Sequence, residues 1–198
     1  VTGQPHDTDE NPCQSFFEAN EENKEKVKAL QKHPRLSEFE NLTASRLSPG
    51  VVAGGEDLLR QVFNPLHIEL DTGDLKPSAF DDASSMGLSV DREAHRAAKA
   101  TVTEGLARAE AANAREGSTP RKLHGVARLR ACDVRELKTE GARCFGVYDT
   151  AIESNIAHAD VCQLIAGKLP GRSARSKLVE LAQNKVILYA PEEGSGAA

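Results

Sequence analysis

The feature that most constrains this chain is the order of its short strand-like runs and helical stretches. Runs of alternating or continuous apolar residues cover Asp57–Phe63, Gly87–Asp91, Leu123–Leu137, Ala142–Tyr148, Val161–Ile165 and Lys185–Tyr189. Helical patterns fall among them irregularly: over residues 13–31 and 35–46, over 92–115, in a short piece opening at Asn155, and over 173–184. A parallel sheet needs a crossover, usually a helix, between each pair of strands. Here two strands follow one another twice with no helix between. The expected class is therefore α+β, a small and mostly antiparallel sheet with flanking helices and an N-terminal helical extension.

The chain has 198 residues, enough for one sizeable core. Aromatic residues make up only 4% and Trp is absent, so Leu, Val, Ile and Ala must fill that core. Composition shifts along the chain suggest four parts: a polar tail over residues 1–12, the helical extension over 13–50, the α+β domain over 56–190, and a Glu, Gly, Ser and Ala tail over 191–198. Ser48–Gly55, with its Pro and three Gly, reads as the linker. Within the domain, 173–184 carries the cleanest amphipathic stripe, with Ala174, Leu178, Leu181 and Ala182 inward. The Ala-rich stretch 92–115 has high helix propensity and a thin apolar face, which suits a surface helix. Leu123–Leu137 and Ala142–Tyr148 read as antiparallel neighbours around Lys138–Gly141.

The formal net charge is −5, which argues against a wholesale electrostatic nucleic-acid binder. A local basic set exists at Arg121, Lys122, Arg128, Arg130 and Arg135, joined by Lys168, Arg172, Arg175 and Lys177, but no aromatic residues interleave it for base stacking. No run reaches the roughly 18 apolar residues of a membrane helix, and no charged-then-apolar leader pattern opens the chain. Cys13, Cys132, Cys144 and Cys162 form no CxxC pair and no framework spacing, so reduced thiols and a cytoplasmic setting are expected.

Several chemically capable side chains gather in Val147–Cys162. If a helix opens at Asn155, then Asn155, His158 and Cys162 share one face at i, i+3 and i+7. His158, oriented by Asn155 and Asp160, could then act as a general acid or base near neutral pH. Asn155 equally suits a helix cap, with His158 packed over it. Arg60 and Arg92 could bind an anion through bidentate guanidinium contacts, or could simply pair with Asp57 and Asp91. Ser89 is a candidate ligand contact, although no nucleophile elbow surrounds it. Cys132, Cys144, His158 and Cys162 have zinc-compatible chemistry, but their spacing is not that of a metal site. We expect no metal and no cofactor. No Walker A loop, Gly-x-Gly-x-x-Gly or His-Glu-x-x-His occurs.

Leu59-Arg60, Ser78-Ala79-Phe80, Leu88-Ser89-Val90-Asp91-Arg92, Gly125-Val126-Ala127 and Asn155-Ile156-Ala157-His158-Ala159 resemble, as a series, a small family of uncharacterised bacterial proteins. The resemblance covers roughly residues 56–190 and departs at Ile156, where the family pattern has Pro. It implies a domain boundary and supplies no function to carry over. Two functions of different class follow from the residues. The first is an accessory or interaction domain without catalytic activity, whose partner is another protein and not a membrane, with nucleic acid left open as the less favoured partner. The second is a small enzyme acting on a phosphate-bearing substrate, with Arg60 and Arg92 on the anion and His158 moving a proton. Its most specific form is an ADP-ribosyltransferase-like site, for which a late Glu is not well placed.

Overall fold

The computed structural model describes residues 11–188. The expected C-terminal tail, and all but the last two residues of the N-terminal one, lie outside the described residues. In chain order the elements are α1 (Pro12–Ala19), α2 (Lys26–Gln31), a 3-10 helix (Leu36–Asn41), β1 (Asp57–Asn64), a second 3-10 helix (Pro77–Ser84), β2 (Leu88–Arg92), α3 (Ala98–Asn113), β3 (Lys122–Arg130), α4 (Ala131–Glu136), β4 (Lys138–Thr139), β5 (Ala142–Arg143), β6 (Phe145–Tyr148), β7 (His158–Gln163), α5 (Lys168–Ala182) and β8 (Val186–Leu188). Six strands form one sheet in the order β6-β7-β2-β1-β3-β8, and every pair in it is antiparallel. β4 and β5 form a separate two-stranded ribbon. The fold is α+β.

Alternation along the strands separates the two faces of the sheet. One face presents Leu58 and Val62 from β1, Leu88 and Val90 from β2, Ala127 and Leu129 from β3, Phe145 and Val147 from β6, and Ala159 and Val161 from β7. Phe80 from the second 3-10 helix and Ala174, Leu178 and Ala182 from α5 close over it. This is the main core.

The opposite face is covered by two separate structures. α3 buries only Thr101, Gly105 and Ala109, one small residue per turn, and so lies close to the sheet. A Cβ at Gly105 would come within 2.7 Å of Leu123 Cδ1. The N-terminal segment covers the rest, where Cys13, Phe17, Val27, Leu30, Phe39 and Ala44 pack with Tyr148 and Cys162. Asn11 starts this segment as the N-cap of α1, accepting from the amides of Cys13 and Gln14.

Four expectations need correction. No helix opens at Asn155: residues 150–157 are irregular and turn-like, with one isolated bridge between Ile152 and Asn155, and His158 begins β7. The reason is the alternation of Ala159 and Val161, which the main core buries, with His158, Asp160 and Cys162 on the other side. Leu123–Leu137 is not one strand. It divides at Ala131, where β3 gives way to α4. Nor do β3 and β6 pair. β3 lies between β1 and β8, while β6 sits at the far edge of the sheet. The Lys138–Gly141 turn instead closes the small ribbon, with Glu140 at φ 52° and Gly141 at φ 81°, the two positive φ values of a tight hairpin turn. Lys185–Tyr189 was expected as a buried strand, yet β8 is an edge strand and Ile187 is exposed.

Candidate functional site

Register on the covered sheet face brings polar groups together. In the β2/β7 pair Ser89 lies opposite Asp160 and Asp91 opposite His158. Ser89, Asp91, His158 and Asp160 therefore share one face. Asn155 joins them from the preceding turn. Its amide donates to Asp91 Oδ1 at 2.6 Å, and its side-chain oxygen accepts from the Ala157 amide at 3.1 Å. Asn155 thus braces a turn by the local side-chain bonding typical of Asn, rather than capping a helix. Asp91 is further occupied by the Thr101 hydroxyl at 2.6 Å.

His158 is held by its Nδ1, which lies 2.8 Å from the carbonyl oxygen of Thr150 and 3.0 Å from its hydroxyl. A carbonyl only accepts, so Nδ1 carries the proton and Nε2 is the free acceptor. Nε2 lies 3.9 Å from Asp160 Oδ1. The other oxygen of Asp160 is paired with Lys26 Nζ at 2.6 Å. Both partners are buried, and the ammonium also sits 5.6 Å from the centre of the Phe17 ring. Gly87 makes this arrangement possible. Its φ is +93°, and a Cβ there would fall 2.8 Å from Asp160 Cγ.

Lys26, Ser89, His158 and Asp160 form the floor of an open groove of about 700 Å³, while Asp91 and Asn155 border a separate narrow cleft. Phe17, Ala44, Ser45 and Leu47 of the N-terminal segment line the groove together with Met86 and residues 150–154, and the Ser45 hydroxyl donates to Ala151 O at 2.6 Å. Asp149 fixes the N-terminal segment to the sheet, accepting from the Ala44 amide at 2.8 Å and from the Ser48 hydroxyl. Burial pushes its carboxyl up to about 6, against the stabilising effect of those backbone bonds. The thiols nearby are unreactive. Burial raises Cys13 to about 12 and Cys162 well above its usual value, with Asp149 and Asp160 adding to the respective shifts.

Of the residues read from sequence, Ser89, Asn155 and His158 converge. Arg60 borders the narrow cleft with Ser89, Asn155 and His158, but its guanidinium is directed elsewhere, and Arg92 does not border that cleft. Arg60 lies opposite Ala127 and so points to the main-core face. There its guanidinium donates to Ala79 O and Ser89 O, each at 3.2 Å, and to Asp82 at 3.3 Å. β1 and β2 pair only at Leu58–Arg92 and Leu59–Asp91, and the Arg60 side chain supplies a donor to Ser89 O beyond that short ladder. Arg92 lies opposite Leu58 on the same face and is only 2% exposed. It makes two bonds of 2.8 Å to Glu56 and donates to Gly50 O and Val51 O, which clamps the linker onto β2. Burial of Glu56 works to raise its carboxyl, but the Arg92 hydrogen bonds, the Ala53 amide and the nearby charges of Arg92 and His95 together hold the group below its ordinary value. The expected anion site therefore does not assemble, because strand alternation puts both guanidinium groups across the sheet from His158.

The zinc-compatible set is also divided. Cys144 belongs to the main core and Cys162 to the opposite face. Among the described residues no three His, Cys, Asp or Glu side chains gather as metal ligands. The basic residues are internally paired in several places: Arg128 with Glu93, Arg130 with Asp57, Arg135 with Glu40 and Arg175 with Asp81. Among the described residues no helix is long and apolar enough to cross a membrane.

No family model, no curated protein and no solved structure matches this chain.

Lys26 is the floor residue that the sequence reading passed over. The available signal was its position: it lies four residues before Leu30, so on α2 it shares the inward face.

Proposed function

We propose that this chain is an interaction domain without catalytic activity, and that it holds a partner protein in the groove between its N-terminal segment and the sheet. The observation that carries this reading is the convergence of Leu47, Met86 and Ile152 on that groove with 45%, 43% and 39% of their surfaces exposed. Exposed apolar side chains gathered at a concavity are a mark of recognition surfaces. The polar floor, by contrast, is mostly occupied with its own contacts: Lys26 with Asp160 and His158 Nδ1 with Thr150. A group already tied up in this way is poorly placed to move a proton onto a substrate.

The phosphate-bearing substrate reading has less behind it. The Arg60 and Arg92 guanidinium groups lie across the sheet, and Lys26, the one fixed cation lining the groove among the described residues, is neutralised by a carboxylate. The four free thiols, three of them buried, fit a reducing compartment, and the cytoplasm is where we place this domain.

The test is capture from a lysate of the source organism with the full chain and with M86S/I152S as bait, read by quantitative mass spectrometry. Both substituted positions are exposed, so the variant should melt as the parent does. We expect at least one protein enriched on the parent and lost from the variant. Equal recovery on both baits would count against the groove.

A further inference from the structure

Resting on the groove reading above, we infer that the occupant is a cationic, apolar peptide segment, with an apolar side chain seated among Phe17, Leu47, Met86 and Ile152 and basic side chains on Glu21 and Glu153. The sign of the charge decides the class. Among the described residues the groove is lined by four carboxylates, Glu18, Glu21, Glu153 and Asp160, and by a single fixed cation, Lys26. Lys26 is spent on Asp160, and Glu18 pairs with Arg46 at 3.1 Å. Glu21 and Glu153 are exposed and have no basic partner among the described residues. They come from different segments, Glu21 from the turn after α1 and Glu153 from the loop before β7. Among the described residues an anionic ligand would meet two unopposed negative charges and no available cation. A ligand carrying Lys or Arg on either side of an apolar residue meets complementary charge from both segments.

The floor offers two groups that suit a peptide backbone. The half-buried Ser89 hydroxyl has no protein partner among the described residues and can donate to a carbonyl. His158 Nε2, left as an acceptor by the Thr150 contact, can accept from an amide.

The experiment is an NMR titration of the 15N-labelled full chain with three defined probes: acetyl-Lys-Leu-Lys-Leu-Lys-amide, acetyl-Glu-Leu-Glu-Leu-Glu-amide, and ADP-ribose. We expect saturable shifts at the amides of Leu47, Met86, Gly87, Ile152 and Glu153 with the lysine peptide only. Affinity should fall as salt is raised, because rim charges are screened beyond about 8 Å at physiological ionic strength. It should drop about tenfold or more in E21K/E153K, the effect of losing and reversing two exposed ion pairs. E21Q/E153Q should lose less, and both variants should keep the parent's spectrum elsewhere. Saturation of the same amides by the glutamate peptide or by ADP-ribose would overturn the cationic class while leaving the groove as the binding site. No saturable shift with the lysine peptide, or shifts indifferent to E21K/E153K, would also overturn it. The capture comparison on M86S/I152S then decides separately whether the groove binds a partner.

Discussion

Lys26 Nζ lies 2.6 Å from Asp160 Oδ2, joining the first turn of α2 to the middle of β7 across 134 positions of sequence. The pair is buried, and it ties the N-terminal segment to the sheet at the floor of the groove. Taking two charges from water is costly, and the Coulomb attraction offsets this only while both partners are present. Removing one partner strands the other. Lys26→Met is therefore expected to cost about 3–5 kcal/mol, and K26M/D160N to recover part of it. A double-mutant cycle by urea melts checks this. Additive losses would mean that the two groups are not coupled.

Gly87→Ala should disturb the same point from beneath. The residue sits at φ +93°, and the new methyl would meet Asp160 Cγ at 2.8 Å. Both the left-handed backbone and the contact oppose it, so a loss of about 2 kcal/mol or more is expected. Thermal melts of G87A and of an alanine at the open, positive-φ Gly73 separate the two contributions, since nothing lies within 4 Å of a Cβ there.

The Asp149 anchor carries a pH signature. Its carboxyl is raised from 3.8 to about 6 by burial. The folded state thus holds the proton more tightly than the unfolded chain. Its favourable contribution is complete below pH 3.8 and is lost as pH rises through about 6. Asp149→Asn keeps an acceptor for the Ala44 amide without the charge. The stability of the parent relative to D149N should fall by about 3 kcal/mol across that window, at 1.36 kcal/mol per unit. Parallel urea melts from pH 3.5 to 7.5 measure it, and a flat difference would show that Asp149 titrates normally.

The N-terminal segment supplies its own apolar cluster to the covered face. Phe39 is fully buried there, 4.5 Å from the His33 ring and 5.8 Å from Phe16, centre to centre. Truncating it leaves a cavity, and Phe39→Ala is expected to cost about 3–5 kcal/mol. Hydrogen exchange should show the added opening at Val27 and Leu30 first. Protection unchanged at those amides would mean that the segment is not held by this cluster.

The class of fold was readable because β2 and β6 alternate, β1 does so loosely, and the strands succeed one another without regular crossover helices. The Asn155 region misled for a definite reason. His158 and Cys162, four apart, share a face on a helix and on a strand alike, so their spacing could not decide between the two. The alternation of Ala159 and Val161 with polar neighbours was the better guide. The same rule places Arg60 with Leu58 and Val62 on the core side, and it was sufficient to separate Arg60 from His158. What local pattern could not supply was the partner of each strand. The sheet order puts β7 beside β2, and only that pairing sets His158 against Asp91 and Asp160 against Ser89. Lys26 reaches Asp160 through tertiary packing alone.

The most direct measurement is site-specific photocrosslinking. A benzoylphenylalanine at position 86, in the groove, is compared with one at Leu70, which is 71% exposed and outside it. Both chains are irradiated in lysate of the source organism. A defined protein adduct from position 86 and none from position 70 is the expected result. Equal labelling from both positions, or none from position 86, would contradict a docking role for the groove.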